Sequence, residues 1–297
     1  MFHLEDGAQI LAILNPAAGR RRRFAEAMSA WASVGLTVTV VETSRRGDAE
    51  RLAREAARSG IGLLIACGGD GTVNEIVNGL AGVARPPMVG VLPLGTANAL
   101  ARELGLPLDV AAAAMALAKG RPQPVHLGLV NGRRFVMMAG VGFDARVVAA
   151  MRPEAKSRFG RLAYAAAAAE LWVSGRPARY KLQVGGMSEE VGSVVVAKGR
   201  HYAGGFVACP DADLSRPELS LCILESSDRG RLLATALALG IGRIGWAPGV
   251  RHTAAPSLHI DGPPDEPIQA DGDVIGGLPA MFSVARETLQ MLATART

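Results

Sequence analysis

Three glycine-rich loops carry the residues whose types and spacing could do chemistry. They are NPAAGR at 15–20, GGDGT at 68–72 and PLGTAN at 93–98, and each follows a short apolar stretch. Exposed backbone N–H groups in such loops bind phosphate well, above all beside the amino terminus of a helix. Asp70 is the odd member, because a carboxylate repels phosphate unless a cation such as Mg²⁺ lies between them, directly or through water. Together the three loops predict a nucleotide site.

Side chains in the loops add to this prediction. Thr72 and Thr96 can donate hydroxyl groups, and Arg20 can neutralise negative charge. Each loop by itself is equally consistent with an ordinary turn, and Arg20 can belong to a solvated arginine run at 20–23. Other phosphate motifs do not fit, because no GxxxxGK[ST] is present and a GxGxxG motif starting in the second loop ends on Asn74.

The elements that must position these loops alternate along the first 120 residues. Apolar, strand-like segments lie at 8–14, 36–43, 61–66 and 88–92, and segments with helical periodicity lie at 22–34, 48–60, 73–82 and 97–106. Asp48 suits the N-cap and Gly60 the C-cap of the second helix. Alternating strands and helices predict a parallel sheet covered by helices, whose ligands bind at the carboxyl ends of the strands. The three loops are therefore predicted to lie at one edge of the sheet.

The second half of the sequence has a different pattern. Strand-like segments lie at 135–143, 180–184, 191–199, 219–224, 257–262, 267–272 and 281–285, with helices at about 157–173 and about 228–244. Short strands separated by turn signals predict an antiparallel sandwich or barrel. RPQP at 121–124 is a predicted linker. We therefore predict an α/β nucleotide-binding domain at 1–122 and a β-rich substrate domain at 123–297, with the extreme carboxyl terminus free to return to the first domain.

Composition narrows the classes of partner. A net charge of +5 favours anionic partners, but aromatics make up only 4% and do not interleave with basic residues, so no nucleic-acid partner is predicted. Three cysteines without CxxC spacing predict reduced, buried thiols. The sequence shows no signal-peptide pattern and no stretch of about eighteen apolar residues. The predicted location is the cytoplasm, with peripheral contact at the inner membrane surface left open.

Longer motifs resemble one known family. GGDGTVNEIVNGL, with PLGTANALARELGLP about 24 residues later, is similar to the diacylglycerol kinase catalytic family, whose relatives include bacterial lipid kinases, sphingosine kinases and ceramide kinases. NPAAGR resembles the first loop of the family. Further matches, in order, are NGRRFVMMAGVGFDARV at 131–147, FGRLAYAAAAAELW, KGRHYAGGFVACPDADL and ADGDV at 270–274.

The resemblance implies a kinase that transfers the γ-phosphoryl group of ATP, with Mg²⁺, to the hydroxyl of a lipid such as diacylglycerol. It places this activity in lipid metabolism and phospholipid biosynthesis, with ATP between an α/β domain and a β-rich domain. Matching or adjoining positions give these nucleotide-site candidates: Asn15, Arg20, Gly68, Gly69, Asp70, Gly71, Thr72, Glu75, Gly95, Thr96 and Asn98. Asp70 would position Mg²⁺. Glu75 can instead make a contact at a helix end.

Asp271 falls where the family has its general base. Phosphoryl transfer uses a carboxylate that orients the nucleophile and takes its proton. The alternative for Asp271 is structural, because Asp-Gly between strands is a standard signal for a hairpin turn. Asp273 stands where the family usually has glutamate.

The sequence departs from the family at three acidic positions. Ala99, His126 and the pair Arg216–Pro217 stand where the family often has acids or Asp-Gly. These acids belong to a polar network that holds a structural metal in some members. We therefore predict no structural metal in this chain.

Two other functions stay open, namely an NAD kinase-like phosphotransferase and a non-catalytic nucleotide-binding regulator. Membrane contact is a further hypothesis, because basic and aromatic residues cluster in two regions. In 151–176 they are Arg152, Lys156, Arg158, Phe159, Arg161, Tyr164, Trp172 and Arg176, and in 229–251 they are Arg229, Arg231, Arg243, Trp246 and Arg251. The alternative is that both regions form core helices with solvated flanks.

Overall fold

The computed structural model describes residues 9–151, 161–175, 177–202 and 204–294, with only the backbone at 161–163. Contacts between residues divide the chain into two compact units. The first contains Met1–Val125 and Glu287–Thr297, and the second contains His126–Arg286. Strands β5 (Arg121–Val130) and β18 (Ala280–Ala293) each carry the chain from one unit into the other.

The first unit is built on a parallel sheet with the strand order β2-β1-β3-β4. Its strands are β1 Ile10–Leu14, β2 Thr39–Glu42, β3 Leu63–Gly68 and β4 Met88–Pro93, and its helices are α1 Phe24–Ser33, α2 Asp48–Arg58, α3 Asp70–Gly79, α4 Ala99–Glu103 and α5 Val110–Lys119. The returning end of β18 pairs in parallel with β4 through Met291 and Val89. Every residue of β3 is buried, which explains its continuous apolar sequence.

Two sequence predictions about this unit are wrong in detail. Gly47, with φ of 87°, is the N-cap of α2, and Asp48 is the first helical residue. The carboxylate of Asp48 accepts hydrogen bonds from the backbone N–H groups of Ser44 and Arg45, at 2.8 and 3.1 Å. Helix α5 was missed. Asp109 begins it by accepting a hydrogen bond from the Ala112 N–H group at 3.0 Å.

The predicted linker RPQP is also a strand, because residues 121–124 open β5. Prolines are compatible with an extended backbone, and these two lie before Gly128–Val130, the stretch of β5 that pairs with β6 (Arg133–Phe135). The predicted strand at 135–143 is likewise shorter, because β7 covers Met138–Val141 and a helix begins at Phe143.

The second unit contains two groups of antiparallel strands, as the sequence predicts. One sheet has the order β14-β13-β10-β7-β16-β17, and β15 pairs with β18 and with β8, which pairs with β9. The further elements are α6 Phe143–Ala150, α7 Arg161–Ser174, β8 Tyr180–Val184, β9 Met187–Val191, β10 Ser193–Ala197, β11 His201–Tyr202, β12 Phe206–Val207, β13 Leu219–Leu224, α8 Arg229–Gly240, β14 Val250–Ala255, β15 Ser257–Asp261, β16 Pro267–Ala270 and β17 Asp273–Gly277.

A single apolar core joins the two groups of strands in this unit. It includes Val194 and Leu221 from one sheet and Leu182, Ile260 and Phe282 from the other. Side chains of both sheets therefore face each other, which is the arrangement of a β-sandwich. In the part of the chain that the structure describes, no helix is long and apolar enough to cross a membrane.

Candidate functional site

The three glycine-rich loops meet at the carboxyl edge of the parallel sheet in the first unit. Asn15 donates a hydrogen bond from Nδ2 to Oγ1 of Thr72 at 3.2 Å, joining the first loop to the second. The N–H group of Gly95 donates to the carbonyl oxygen of Gly68 at 3.1 Å, joining the third loop to the second. The N–H group of Arg20 donates to the carbonyl oxygen of Leu94 at 2.9 Å. The structure thus brings together loops that are up to 80 residues apart in sequence.

Glycines in the loops allow this close approach. A Cβ atom on Gly95 would lie 2.4 Å from the Cα atom of Gly69, and one on Gly68 would lie 2.3 Å from Oγ1 of Thr72. No side chain fits at such distances. Gly71 differs, because an added Cβ atom there meets nothing within 4 Å and the residue is exposed. Gly69 and Gly95 therefore serve packing between loops and Gly68 serves packing within the second loop, while Gly71 leaves backbone open to an approaching ligand.

Asp70 is the first residue of α3 and lies next to Gly71. Its Oδ1 atom accepts a hydrogen bond from the N–H group of Leu100 in α4, at 3.2 Å. Burial raises the pKa of the Asp70 carboxyl group, and N–H groups of Ala99 and Leu100 act in the opposite direction. Asp70 as a whole residue is partly exposed.

Other predicted site residues make contacts within the protein. Asn98 adopts a left-handed conformation, with φ of 49°, and its amide exchanges hydrogen bonds with the backbone of Gly95 at 3.0 and 2.8 Å. Glu75 accepts from the N–H group of Ala49 at 3.1 Å, which is the helix-end contact that the sequence left open. Arg20 donates from Nη1 to the carbonyl oxygen of Leu108 at 2.8 Å.

Two of the threonines face different surroundings. Thr96 is exposed at the tip of the third loop, whereas Thr72 is buried against Asn15. Thr96 can therefore reach a ligand without rearrangement, whereas Thr72 holds two loops together.

The residues at this edge fit a magnesium ion only in company with phosphate. Within the described residues, no group of three or more His, Cys, Asp or Glu side chains is arranged to hold a metal ion. Mg²⁺ commonly takes one or two protein carboxylates, substrate phosphates and water as ligands. The carboxylate of Asp70, a partly exposed residue, fits that arrangement.

Asp271 lies in a tight turn between β16 and β17 of the second unit. Asp271 and Gly272 have φ of 47° and 85°, both in the left-handed region, as in the two-residue turn that the Asp-Gly pair predicts. The carboxylate accepts three backbone hydrogen bonds. Val136 donates to Oδ2 at 2.8 Å, and Met137 and Met138 donate to Oδ1 at 2.9 and 3.1 Å. The turn and the strand entry at 136–138 thus fix the orientation of this carboxylate.

Sequence reasoning missed a buried polar network beside this turn. Oε1 of Gln269 accepts from the N–H group of Gly272 at 3.0 Å, and its Nε2 donates to Oδ2 of Asp144 at 2.7 Å. The other oxygen of Asp144 accepts from the hydroxyl groups of Tyr164 and Tyr202. Burial raises the pKa of Asp144, and these three donors act in the opposite direction. The sequence signal was an acid within an otherwise apolar stretch at 135–145.

A second missed feature is a buried ammonium group in a nest of carbonyl oxygens. Lys198 is fully buried, and its Nζ atom donates to the carbonyl oxygens of Asp213, Arg216 and Glu218 at 3.3, 2.5 and 2.8 Å. Burial lowers the pKa of Lys198 to about 8, against the attraction of Asp213 and Glu218. Burial and the charge of Lys198 also lower the pKa of His126. The loop at 213–218 is therefore folded around a positive charge supplied by the chain itself.

Replacing Lys198 by methionine is expected to lower the free energy of unfolding by about 3 kcal/mol. The variant keeps the apolar stem but leaves three buried carbonyl oxygens without their donor. Denaturant unfolding of both proteins measures the difference. Lys181→Met, at an exposed position of β8, is the matched control and should change stability little.

The same site predicts a dependence on pH. Between the folded pKa of about 8 and the unfolded value of 10.5, the unfolded chain binds more protons than the folded chain. The free energy of unfolding should therefore rise with pH across this window in the parent, relative to Lys198→Met. Equal pH profiles and equal stabilities would contradict a structural role for the ammonium group.

Comparisons with known proteins agree with this architecture. Residues 9–130 match the model of the diacylglycerol kinase catalytic domain, and residues 137–293 match that of the YegS C-terminal NAD kinase beta sandwich-like domain. The diacylglycerol kinase of Bacillus subtilis (strain 168) is 30% identical over 276 residues, covering 91% of each chain. A protein of Pseudomonas aeruginosa (strain UCBPP-PA14) with the name "Probable lipid kinase YegS-like" is 31% identical over 289 residues, covering 96% of this chain and 94% of the relative.

A known structure shares the fold. The crystal structure of a diacylglycerol kinase from Bacillus anthracis str. Sterne superposes with a TM-score of 0.81 at 24% identity, covering 97% of both chains. The two family models together span most of the described residues, and they match the sequence motifs in order. The chain therefore belongs to the family of diacylglycerol kinases and YegS-like lipid kinases.

Proposed function

We propose that this protein is an ATP-dependent lipid kinase that transfers the γ-phosphoryl group to a hydroxyl group of a lipid such as diacylglycerol. The observation that carries the proposal is the junction of three loops in the first unit, which leaves the backbone of Gly71 open beside the carboxylate of Asp70. Membership in a family of kinases supports the same reaction class. The two units would then be domains with separate roles, binding of nucleotide and activation of the acceptor.

The proposed nucleotide site has two kinds of residue. Gly71, Thr96 and the amino end of α3 would contact the phosphates, because exposed N–H and hydroxyl groups there can donate to anionic oxygens. A second group would hold the loops in position through contacts within the protein. Its members are Asn15, Arg20, Gly68, Gly69, Thr72, Glu75, Gly95 and Asn98.

Asp70 would hold the magnesium ion that accompanies ATP, directly or through water. Such an ion neutralises charge on the phosphates. The carboxylate must be ionised to do so, and its burial works against ionisation. A magnesium ion beside the carboxylate would favour its ionised form, because the opposite charge offsets the cost of burial.

Asp271 would act on the acceptor. The acceptor oxygen forms a bond to the γ-phosphorus, the bond between that phosphorus and the leaving oxygen of ADP breaks, and the hydroxyl proton passes to the Asp271 carboxylate. The three N–H donors from 136–138 hold this carboxylate in one orientation, as a positioned base requires. Gln269 and Asp144 would support the turn from behind.

Two alternatives predict different products. An NAD kinase-like enzyme would phosphorylate NAD, and a non-catalytic regulator would bind ATP without turnover. Incubation with labelled ATP and a panel of diacylglycerol, sphingoid base, monoacylglycerol and NAD separates the three. Labelled lipid supports the proposal, labelled NAD contradicts it, and ATP binding without any labelled product favours the regulator.

Replacing Gly71 by alanine is expected to weaken ATP binding roughly tenfold without destabilising the fold. The position lies in the first turn of α3 with open space around it, and alanine there is intrinsically better than glycine by about 0.5–1 kcal/mol. A methyl group would, however, stand where a phosphate approaches the backbone. Calorimetric titration with Mg-ATP and thermal unfolding measure the two effects.

The variants Gly82→Ala and Gly95→Ala are controls that separate an effect on stability from an effect on ATP affinity. Gly82, with φ of 70°, has open space and lies outside the loops, so its substitution should cost stability but not ATP affinity. Gly95 has no room for a Cβ atom, so its substitution should damage both. Unchanged ATP affinity in a stable Gly71→Ala protein would place the phosphates elsewhere.

A further inference from the structure

An exposed apolar stripe runs along α8 in the second unit. Leu233, Leu237 and Ile241 recur every four residues, and their exposed fractions are 47%, 63% and 70%. Within the same segment, Ala238 and Ile244 are buried and attach it to the protein. Large aliphatic side chains rarely stand in a row in water without a partner. This stripe is therefore a surface that needs an apolar environment.

Exposed apolar side chains extend the apolar stripe at both ends. Trp246 is 72% exposed just beyond the helix, and the guanidinium group of Arg243 lies 4.9 Å from the centre of its ring. At the other end Val173 is 61% exposed. The indole of Trp172 and the guanidinium of Arg229 join the ends of α7 and α8 through backbone carbonyl oxygens.

The charged residues between positions 229 and 251 are all basic. From Arg229 to Arg251 the sequence contains four arginines and no acidic residue. Arg231 is paired with Glu225 and with Asp228, the N-cap of α8, and Arg251 is paired with Glu189. Arg229 and Arg243 are exposed. Arg229 donates to a carbonyl oxygen and Arg243 lies over a ring, and neither contact removes positive charge.

We propose that this surface docks on an anionic lipid bilayer, with Leu233, Leu237, Ile241 and Trp246 entering the interface and Arg229 and Arg243 at the level of the headgroups. Tryptophan and arginine are suited to that depth because each side chain has an apolar part that can enter the membrane and a polar part that can stay hydrated. Such docking goes beyond the proposed kinase activity. Of the earlier candidates in 151–176, Arg152, Lys156, Arg158, Phe159, Arg176 and the side chain of Arg161 lie outside the described residues.

Vesicle sedimentation of the full chain tests the proposal. Vesicles containing phosphatidylglycerol should bind the protein at low salt, and vesicles of phosphatidylcholine alone should bind it less. The double variant Leu237→Gln/Ile241→Gln should lower partitioning about tenfold or more. Arg243→Gln should lower it about fivefold, the effect of one basic residue on an anionic surface. Met187→Gln, at a 69% exposed apolar position on β9, is the matched control.

A spectroscopic readout locates the contact. In a Trp172→Phe background, bromine-labelled lipids should quench Trp246 and spare Trp31, which is 1% exposed. No binding by the parent at low salt overturns the proposal, as does equal binding by the double variant. The proposal is also overturned if light scattering shows a dimer for the parent and a monomer for the double variant while both bind vesicles equally. The stripe would then be a contact between copies.

Failure of this proposal is distinguishable from failure of the proposed function. Dioctanoylglycerol presented without vesicles tests catalysis alone, and the double variant should turn it over at the parent rate. Vesicle binding that depends on the stripe, without turnover of any lipid, would contradict the kinase assignment and leave the docking surface standing.

Discussion

Replacing Asp70 by asparagine is expected to reduce lipid phosphorylation by about three orders of magnitude or more. The carboxylate is proposed to hold the ion that neutralises the phosphates, and loss of such charge stabilisation costs several kcal/mol in the transition state. The amide oxygen of asparagine can still accept the hydrogen bond from the Leu100 N–H group, so the loops should stay joined. ADP release with dioctanoylglycerol measures turnover, and thermal unfolding checks the fold.

Asp109→Asn is a matched control for this variant. Asp109 is also a carboxylate at the amino end of a helix in the first unit, where its Oδ1 atom accepts from the Ala112 N–H group. Asparagine is an equally good N-cap, so that variant should keep both fold and turnover. If Asp70→Asn is well folded and works within a few-fold of the parent, Asp70 only joins α3 to α4 and the magnesium assignment is wrong.

Replacing Asp271 by asparagine is expected to lower kcat by about 10²–10⁴-fold while ATP affinity stays near that of the parent. That is the usual contribution of a positioned general base. ATP affinity should persist because the proposed phosphate contacts all belong to the first unit. The turn itself accepts asparagine, since Asn131 and Gly132 form a turn in this chain with φ of 47° and 85°, the same values as at Asp271 and Gly272.

The structure changes how this experiment must be interpreted. The turn conformation suits asparagine, but the Asp271 carboxylate uses both oxygens to accept N–H groups. An amide has one acceptor oxygen, so one of these hydrogen bonds is lost and stability should fall by about 1–3 kcal/mol. Turnover must therefore be measured well below the melting temperature of the variant.

A pH–rate profile separates the base from the turn. Loss of a general base leaves an acidic limb set by the proposed Asp70 carboxylate alone and so changes its shape, whereas a purely structural defect scales the whole curve. Asp273→Asn should be milder, because Asp273 opens β17 two residues after the proposed base. A variant at Asp271 that retains the shape of the acidic limb and loses only stability would leave the turn as the sole role of this residue.

The sequence by itself determined the fold class and the position of the three glycine-rich loops. Glycines and an acid placed directly after buried strands are local signals, because backbone conformation and strand periodicity depend on neighbouring residues. The Asp-Gly turn at 271–272 was predictable for the same reason. The resemblance in ordered motifs added the family, which the comparisons confirm.

Only the tertiary structure decided which partner each side chain has. Gly69 and Gly95 are required by contact with each other, Gln269 and Asp144 are 125 residues apart, and Lys198 finds its acceptors in a later loop. Periodicity gives the same apolar pattern for a buried helix and for one with an exposed stripe, so the sequence favoured a core position for 228–244. Burial and long-range hydrogen bonds arise when distant segments pack together, and no local pattern encodes which segments those are.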